Sequence, residues 1–121
     1  MVQRVRWIEH KGKKIIYHDL SKLNTDEAVR VVRQFEQFVI KNKDNPALVS
    51  LTDFTDAHIF GESFEEVKRV AKLVRPILNK RAVIGITGVK KVLYKAANIF
   101  ANGTPSKMFN TLEEAKDYLV K

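Results

Sequence analysis

The stretch Arg81-Ala82-Val83-Ile84-Gly85-Ile86-Thr87-Gly88-Val89-Lys90-Lys91 runs from β-forming residues straight into a glycine-marked helix start. Its apolar part does not alternate with polar residues, as expected of a strand covered on both faces at the centre of a sheet. A helix is expected from Val89 to Phe100, halted by Asn102-Gly103-Thr104-Pro105. A buried strand followed by a crossover helix is the unit of an α/β domain with a largely parallel sheet.

The chain on either side extends this pattern. Before it, Ala47 to Thr52 reads as a strand bounded by Pro46. Ser63 and Glu66 match a capping box, followed by Phe64, Val67, Val70, Ala71, Val74, Ile77 and Leu78 on one helical face, with Pro76 weakening the last turn. Asn24 and Glu27 form another such box ahead of Ala28, Val31, Val32, Phe35, Phe38 and Val39, and Lys41-Asn42-Lys43 closes that helix. Nearer the start, Gln3 to Glu9 alternates Val5 and Trp7 with Arg4 and Arg6, and Lys11-Gly12-Lys13 turns the chain into an antiparallel partner over Lys14 to His18. After the central stretch, Met108-Phe109 is a short strand. Thr111 with Glu114 caps a terminal helix whose Leu112, Ala115, Tyr118 and Leu119 are expected to face inward.

The resulting order is ββαβαβαβα: a single domain over 1–121, with a mixed, mostly parallel five-stranded sheet, an antiparallel N-terminal hairpin and about four helices. If consecutive strands are neighbours, right-handed crossovers place the helices largely on one face and leave part of the other for a partner or ligand.

Composition narrows the function classes. The chain has 121 residues, 45% hydrophobic and 30% charged, an ordinary balance for one soluble globular domain. With no cysteine, thiolate catalysis, disulfides and cysteine-held metals are excluded. No apolar run approaches the roughly 18 residues of a spanning helix, and no apolar signal-peptide core follows Met1, so a cytoplasmic location is expected.

The net charge is +8, and no carboxylate occurs between Glu66 and Glu113. Lys68, Arg69, Lys72, Arg75, Lys80, Arg81, Lys90, Lys91, Lys95 and Lys107 fill that interval, mostly at helical spacing, which describes solvated faces more readily than an anion surface. Tyr94 and Phe100 are its only aromatic residues between Lys68 and Lys107, too few to stack bases, and no zinc-finger, basic-zipper or RNA-recognition signature is present. Nucleic acid is therefore not the expected partner.

Taken together, Gly12-Lys13-Lys14-Ile15-Ile16-Tyr17-His18-Asp19, Leu48-Val49-Ser50-Leu51-Thr52-Asp53, Arg81 to Lys91 and Phe109-Asn110-Thr111-Leu112-Glu113-Glu114-Ala115 resemble the SpoIIAA-like family over nearly the whole chain. Its members are small single-domain bacterial and archaeal proteins related to STAS and CRAL-TRIO domains. The resemblance implies a STAS-like fold and a binding or regulatory role. In the related anti-sigma-factor antagonists a Ser at the start of the helix after the third strand, in an Asp-Ser-Ser/Thr-Gly context, is phosphorylated by a kinase partner. The matching stretch here is Gly61-Glu62-Ser63-Phe64, which makes Ser63 the phosphorylation candidate. The paired hydroxyl and the glycine are missing, Glu62 replaces the Asp, and Glu62, Glu65 and Glu66 would repel a phosphate that the helix N-terminus favours.

The other candidate sites come from the residues themselves. Gly85, Thr87, Gly88, Lys90 and Lys91 could hold a phosphate or carboxylate on free backbone N–H groups and the Thr87 hydroxyl, although the spacing is neither G-x-G-x-x-G nor a P-loop. Asp53 and Thr55, with Asp56 and His58, lie in the loop at the same carboxyl end of the sheet. His10, His18 and His58 lack H-x-x-x-H spacing, so no metal is expected, and no nucleophile–base–orienter set or cofactor motif is present. Trp7, Phe35, Phe38 and Phe64 are assigned to packing.

These observations lead to a non-catalytic module that recognises a protein. The first alternative is a lipid-like or small anionic ligand, and the second is an enzyme acting on a phosphorylated or carboxylated metabolite. Exposed apolar sheet surface also allows a homodimer.

Overall fold

A computed structural model describes residues 3–86 and 106–121. Its elements are β1 (Val5–His10), β2 (Lys13–Asp19), α1 (Thr25–Lys41), β3 (Val49–Asp53), α2 (Glu62–Val74), β4 (Lys80–Ile84), β5 (Lys107–Phe109) and α3 (Leu112–Leu119). The helix expected over 89–100, and with it Thr87, Gly88, Lys90 and Lys91, lies outside the described residues.

The five strands form one sheet in sequential order, β1-β2-β3-β4-β5. β1 and β2 are antiparallel with Trp7 opposite Ile16, and every later pair is parallel. The hairpin turn needs only Lys11 and Gly12, both at positive φ (52° and 79°), the conformation of a tight two-residue connection whose twist matches the strands.

Sequential order with parallel pairing requires right-handed crossovers. Accordingly α1 and α2 lie together over one sheet face, where Ile16, Leu20, Val32, Phe35, Val39, Leu48, Val70, Val74 and Val83 form the larger core. α3 departs from the one-sided expectation. Ala115 and Leu119 pack with Ile15, Val49, Leu51, Ala82 and Ile84 on the opposite face. α3 follows the last strand and closes no crossover, so handedness does not constrain it, and it covers apolar sheet that would otherwise be wet.

Local chemistry explains most element ends. Asn24 Oδ1 accepts from Glu27 N–H at 2.9 Å and the Glu27 carboxylate reaches back to Asn24 N–H, completing the expected box. Thr111 Oγ1 accepts from Glu114 N–H at 3.2 Å and donates to the Glu114 carboxylate at 3.0 Å.

The Ser63–Glu66 box does not form. Gly61 is the N-cap of α2 and Ser63 sits inside the helix. The inward face of α2 is Ser63, Glu66, Val70 and Val74, so Phe64 is rotated off centre and half-buried, with the Lys68 ammonium 5.2 Å from its ring. α2 ends at Val74, ahead of Pro76. Ile77 and Leu78 belong to the turn that follows, and Leu78 still reaches the core. Leu112, expected inside, is exposed at the first position of α3.

Candidate functional site

The carboxyl ends of β2, β3 and β4 bring Tyr17, Asp19, Asp53, Thr55 and Gly85 to one end of the sheet, the place where open α/β folds bind ligands. Asp53 stands opposite Asp19 in register. Its Oδ1 accepts from Thr55 N–H at 2.9 Å, and its Oδ2 accepts from the Tyr17 hydroxyl at 3.0 Å. Asp19 is tied down in the same way: Oδ1 accepts from Ser21 N–H at 3.0 Å and from the Ser21 hydroxyl, with Arg4 Nη1 3.4 Å away. Both carboxylates therefore fold the loops that follow their strands, each bonding the backbone two residues on.

The Tyr17 phenol is pushed well above its ordinary range, first by burial and then by the Asp53 charge beside it; the Arg6 guanidinium, 4.8 Å from the ring centre, acts in the opposite sense. Tyr17 is thus a fixed donor at neutral pH. Gly85 takes φ +82°, and a Cβ there would sit 2.4 Å from the backbone nitrogen of Thr55. This close approach locks the β3 and β4 loops together, supported by the Phe54 N–H to Ile84 C=O bond at 2.9 Å. Asp53, Thr55 and Gly85 are brought together as the sequence suggests. His58 is exposed, and no hydrogen bond joins its ring to Asp53 among the described residues.

Ser63 is fully buried. Its hydroxyl donates to Phe60 C=O at 2.8 Å and accepts from Phe60 N–H at 3.1 Å. It closes the turn into α2 in place of the expected cap.

Three features lie beyond sequence reasoning. The first is an internal polar group on the α1/α2 face. His18 stacks on Phe35 with ring centres 4.1 Å apart and planes 4° from parallel, while Nδ1 bonds the Thr52 hydroxyl at 3.2 Å. Burial pulls its pKa down to about 3, and Nε2 has no partner among the described residues. It borders a cavity of about 40 Å³, also lined by Ser50, Thr52, Arg81 and Ser106. That is room for about one water, against several hundred Å³ for a small-molecule pocket.

The second is a four-residue ionic bridge between the helices. Arg69 grips Glu36 with two bonds of 3.1 and 2.8 Å and donates from Nε to Glu66 at 2.7 Å, and Arg33 Nε donates to the other Glu66 oxygen at 2.6 Å. The Arg69 and Arg33 hydrogen bonds hold the Glu66 carboxyl down at about 2. Much of the basic segment is committed in this way to structure. Arg75 and Arg81 are buried, and Lys80 donates to Tyr118 C=O at 3.2 Å. The signal for the bridge was the pair Glu36 and Glu66, acidic residues at inward helical positions.

The third is an aromatic pair at the β1 edge, an exposed Trp7 on a half-buried Phe38. Trp7, 37% exposed, meets Phe38 of α1 edge-on at 5.3 Å. Lys14 stands over the Trp7 ring at 5.8 Å. Beside the pair runs a shallow groove lined by Val29, Arg30, Arg33, Gln37, Phe38 and Lys41. Trp7, read as core or sheet-face packing, does pack on Phe38, but α1 covers only this edge of the sheet and leaves the indole partly exposed.

A five-stranded mixed sheet in sequential order, with an antiparallel edge hairpin and helices on both faces, defines the class of this protein. Its fold is SpoIIAA-like. The chain superposes on an uncharacterized protein of the DUF3478 family with a SpoIIAA-like fold from Shewanella loihica, with a TM-score of 0.72 and 17% identity over 95% of this chain and 91% of that one. It also matches an anti-sigma-factor antagonist (STAS) domain protein from Planctomyces limnophilus, with a TM-score of 0.55 and 12% identity over 97% and 98% of the two chains. No family model matches the sequence, and no curated protein does. Among the described residues no helix is long and apolar enough to cross a membrane.

Proposed function

We propose that this chain is a non-catalytic module that recognises a protein partner. The observation that carries the reading is the exposed Trp7, backed by the half-buried Phe38, beside basic Lys14, Arg30 and Lys41. Tryptophan in a partly exposed apolar setting is the residue type most enriched among binding hot spots, and a charged rim confers orientation and rate. The fold agrees with this reading, since a STAS domain described as an anti-sigma-factor antagonist shares it. The carboxyl end of the sheet supports it from the other side: Asp19 and Asp53 are spent on loop closure, and Asp53 fixes Tyr17 as a donor.

The test compares wild-type protein with Trp7→Ala/Phe38→Ala, each immobilised and exposed to proteins of its own host. Retention of a partner by wild type, weakened about thirtyfold or more in the variant, is the expected result. Equal retention by both removes the aromatic pair from the interface. A native mass spectrum showing a non-covalent small molecule that vanishes on denaturation would replace protein recognition with the lipid-like or anionic-ligand alternative.

A further inference from the structure

The hairpin between β1 and β2 is pinned to α3 by a cluster that belongs neither to the aromatic surface nor to the carboxyl end of the sheet. His10 Nε2 lies 2.8 Å from Asp117 Oδ1, and Lys11 Nζ lies 3.0 Å from the same oxygen. Glu113 stands one helical turn before Asp117, so both carboxylates project from the same side of α3. The donor atoms of His10, Glu113 and Asp117 all lie within 4.8 Å of one another.

We propose that His10, Glu113 and Asp117 form a binding site for a borderline divalent metal ion of the zinc and cobalt type. One imidazole nitrogen with two carboxylate oxygens is a donor set such ions accept, the remaining positions being filled by water. Ligand atoms around a tetrahedral zinc stand roughly 3.4 Å apart, so about 1 Å of side-chain adjustment closes the set. The structure lets the right groups make that adjustment. The His10 side chain is only 13% exposed, whereas that of Asp117 is 51% exposed and that of Glu113, 72% exposed with Lys116 no nearer than 3.8 Å, has the most room to move. The ion would take the position between His10 and Asp117, with the His10 proton moving from Nε2 to Nδ1 or to solvent.

The competing cations are Lys11, on Asp117, and Lys116, 3.8 Å from Glu113. Lys13 is turned to Val120 C=O. The Lys11 pair is largely exposed, and pairs of this kind hold weakly against a divalent ion. A sequence search for H-x-x-x-H spacing could not find this set, because His10 and Asp117 are 107 residues apart and meet only after α3 docks.

Calorimetric titration of the full chain with Zn²⁺, repeated with Co²⁺ by visible absorption, tests the site. Saturable one-to-one binding is expected, weakened about tenfold or more in both His10→Ala and Glu113→Gln. His58→Ala should leave it unchanged and Lys11→Met should strengthen it. Glu113→Gln alters an exposed side chain and keeps the test valid if His10→Ala fails to fold. No saturable binding, equal binding by wild type and Glu113→Gln, or loss of binding in His58→Ala would each overturn the proposal.

Discussion

Beneath α1 and α2 the sheet carries Ile16, His18, Ser50, Thr52, Arg81 and Val83, whereas beneath α3 it carries Ile15, Leu51, Ala82 and Ile84. Among the described residues, the first face has two helices over it and a buried polar interior. Over the second, the short helix α3 covers an apolar patch and is fastened at its rim by His10, Lys11, Lys13 and Lys80. The difference shows how two kinds of stability are divided. Polar groups on the thick face are dry and must find partners inside the protein, so they fix the register between sheet and helices. On the thin face the Lys11–Asp117 ion pair remains wet and adds little energy.

Three experiments bear on that division. The largest expected effect is Phe35→Ala on the thick face, which removes a nearly buried ring and unstacks His18. Unfolding by urea should show a loss of about 3–5 kcal/mol. A loss as small as that of a surface substitution would mean that α1 is not the principal cover of this face.

Leu119→Ala on the thin face should cost somewhat less, about 2–4 kcal/mol, and should raise hydrogen exchange in α3 before the strands beneath it. Uniform loss of protection over the sheet would show instead that the two faces unfold as one unit.

The smallest effect comes from acid, and its sign follows from His18. The pKa in the folded chain is about 3 against 6.5 for the free side chain, so below 6.5 the unfolded state binds a proton that the folded state refuses. Stability is full above that range, falls as pH drops through it, and is about 2 kcal/mol lower at pH 5 than at pH 7.5. Glu66, held near 2, adds a loss of the same sign from about pH 4.5 downward, because its carboxylate must be protonated out of the Arg69 and Arg33 bonds. Chemical unfolding of His18→Phe at both pH values should show the upper part of this slope flattened. An unchanged slope would place the acid sensitivity between these pH values elsewhere than on His18.

Much of the architecture was legible because it is written in local chemistry. Asn24 and Glu27, Thr111 and Glu114, the positive-φ pair Lys11 and Gly12, and the unbroken apolar run through β4 each declare an element with no help from distant residues. The α2 reading failed at Ser63 and Phe64 because counting apolar residues placed the inward face one position away from the true one, whose polar members are Ser63 and Glu66. Trp7 packs on Phe38 as expected, but its partial exposure was not legible, since alternation says which side of a strand a residue takes and not how far a helix covers it. At the candidate site, the sequence put Asp53, Thr55 and Gly85 at one end of the sheet, but the bond from the Tyr17 hydroxyl to Asp53 and the packing of Gly85 against Thr55, too close to admit a side chain, join segments far apart in the chain.

Spacing, capping and periodicity within a few residues thus determined the strands, most helices and the direction of the sheet, because those signals act over one or two turns of backbone. Tertiary structure alone decided the side of the sheet taken by α3, the ionic bridge of Glu36, Arg69, Glu66 and Arg33, the dry setting of His18 and the meeting of His10 with Asp117. Each of these depends on which distant surfaces exclude water together, a property of the packed chain that no local pattern of residues carries.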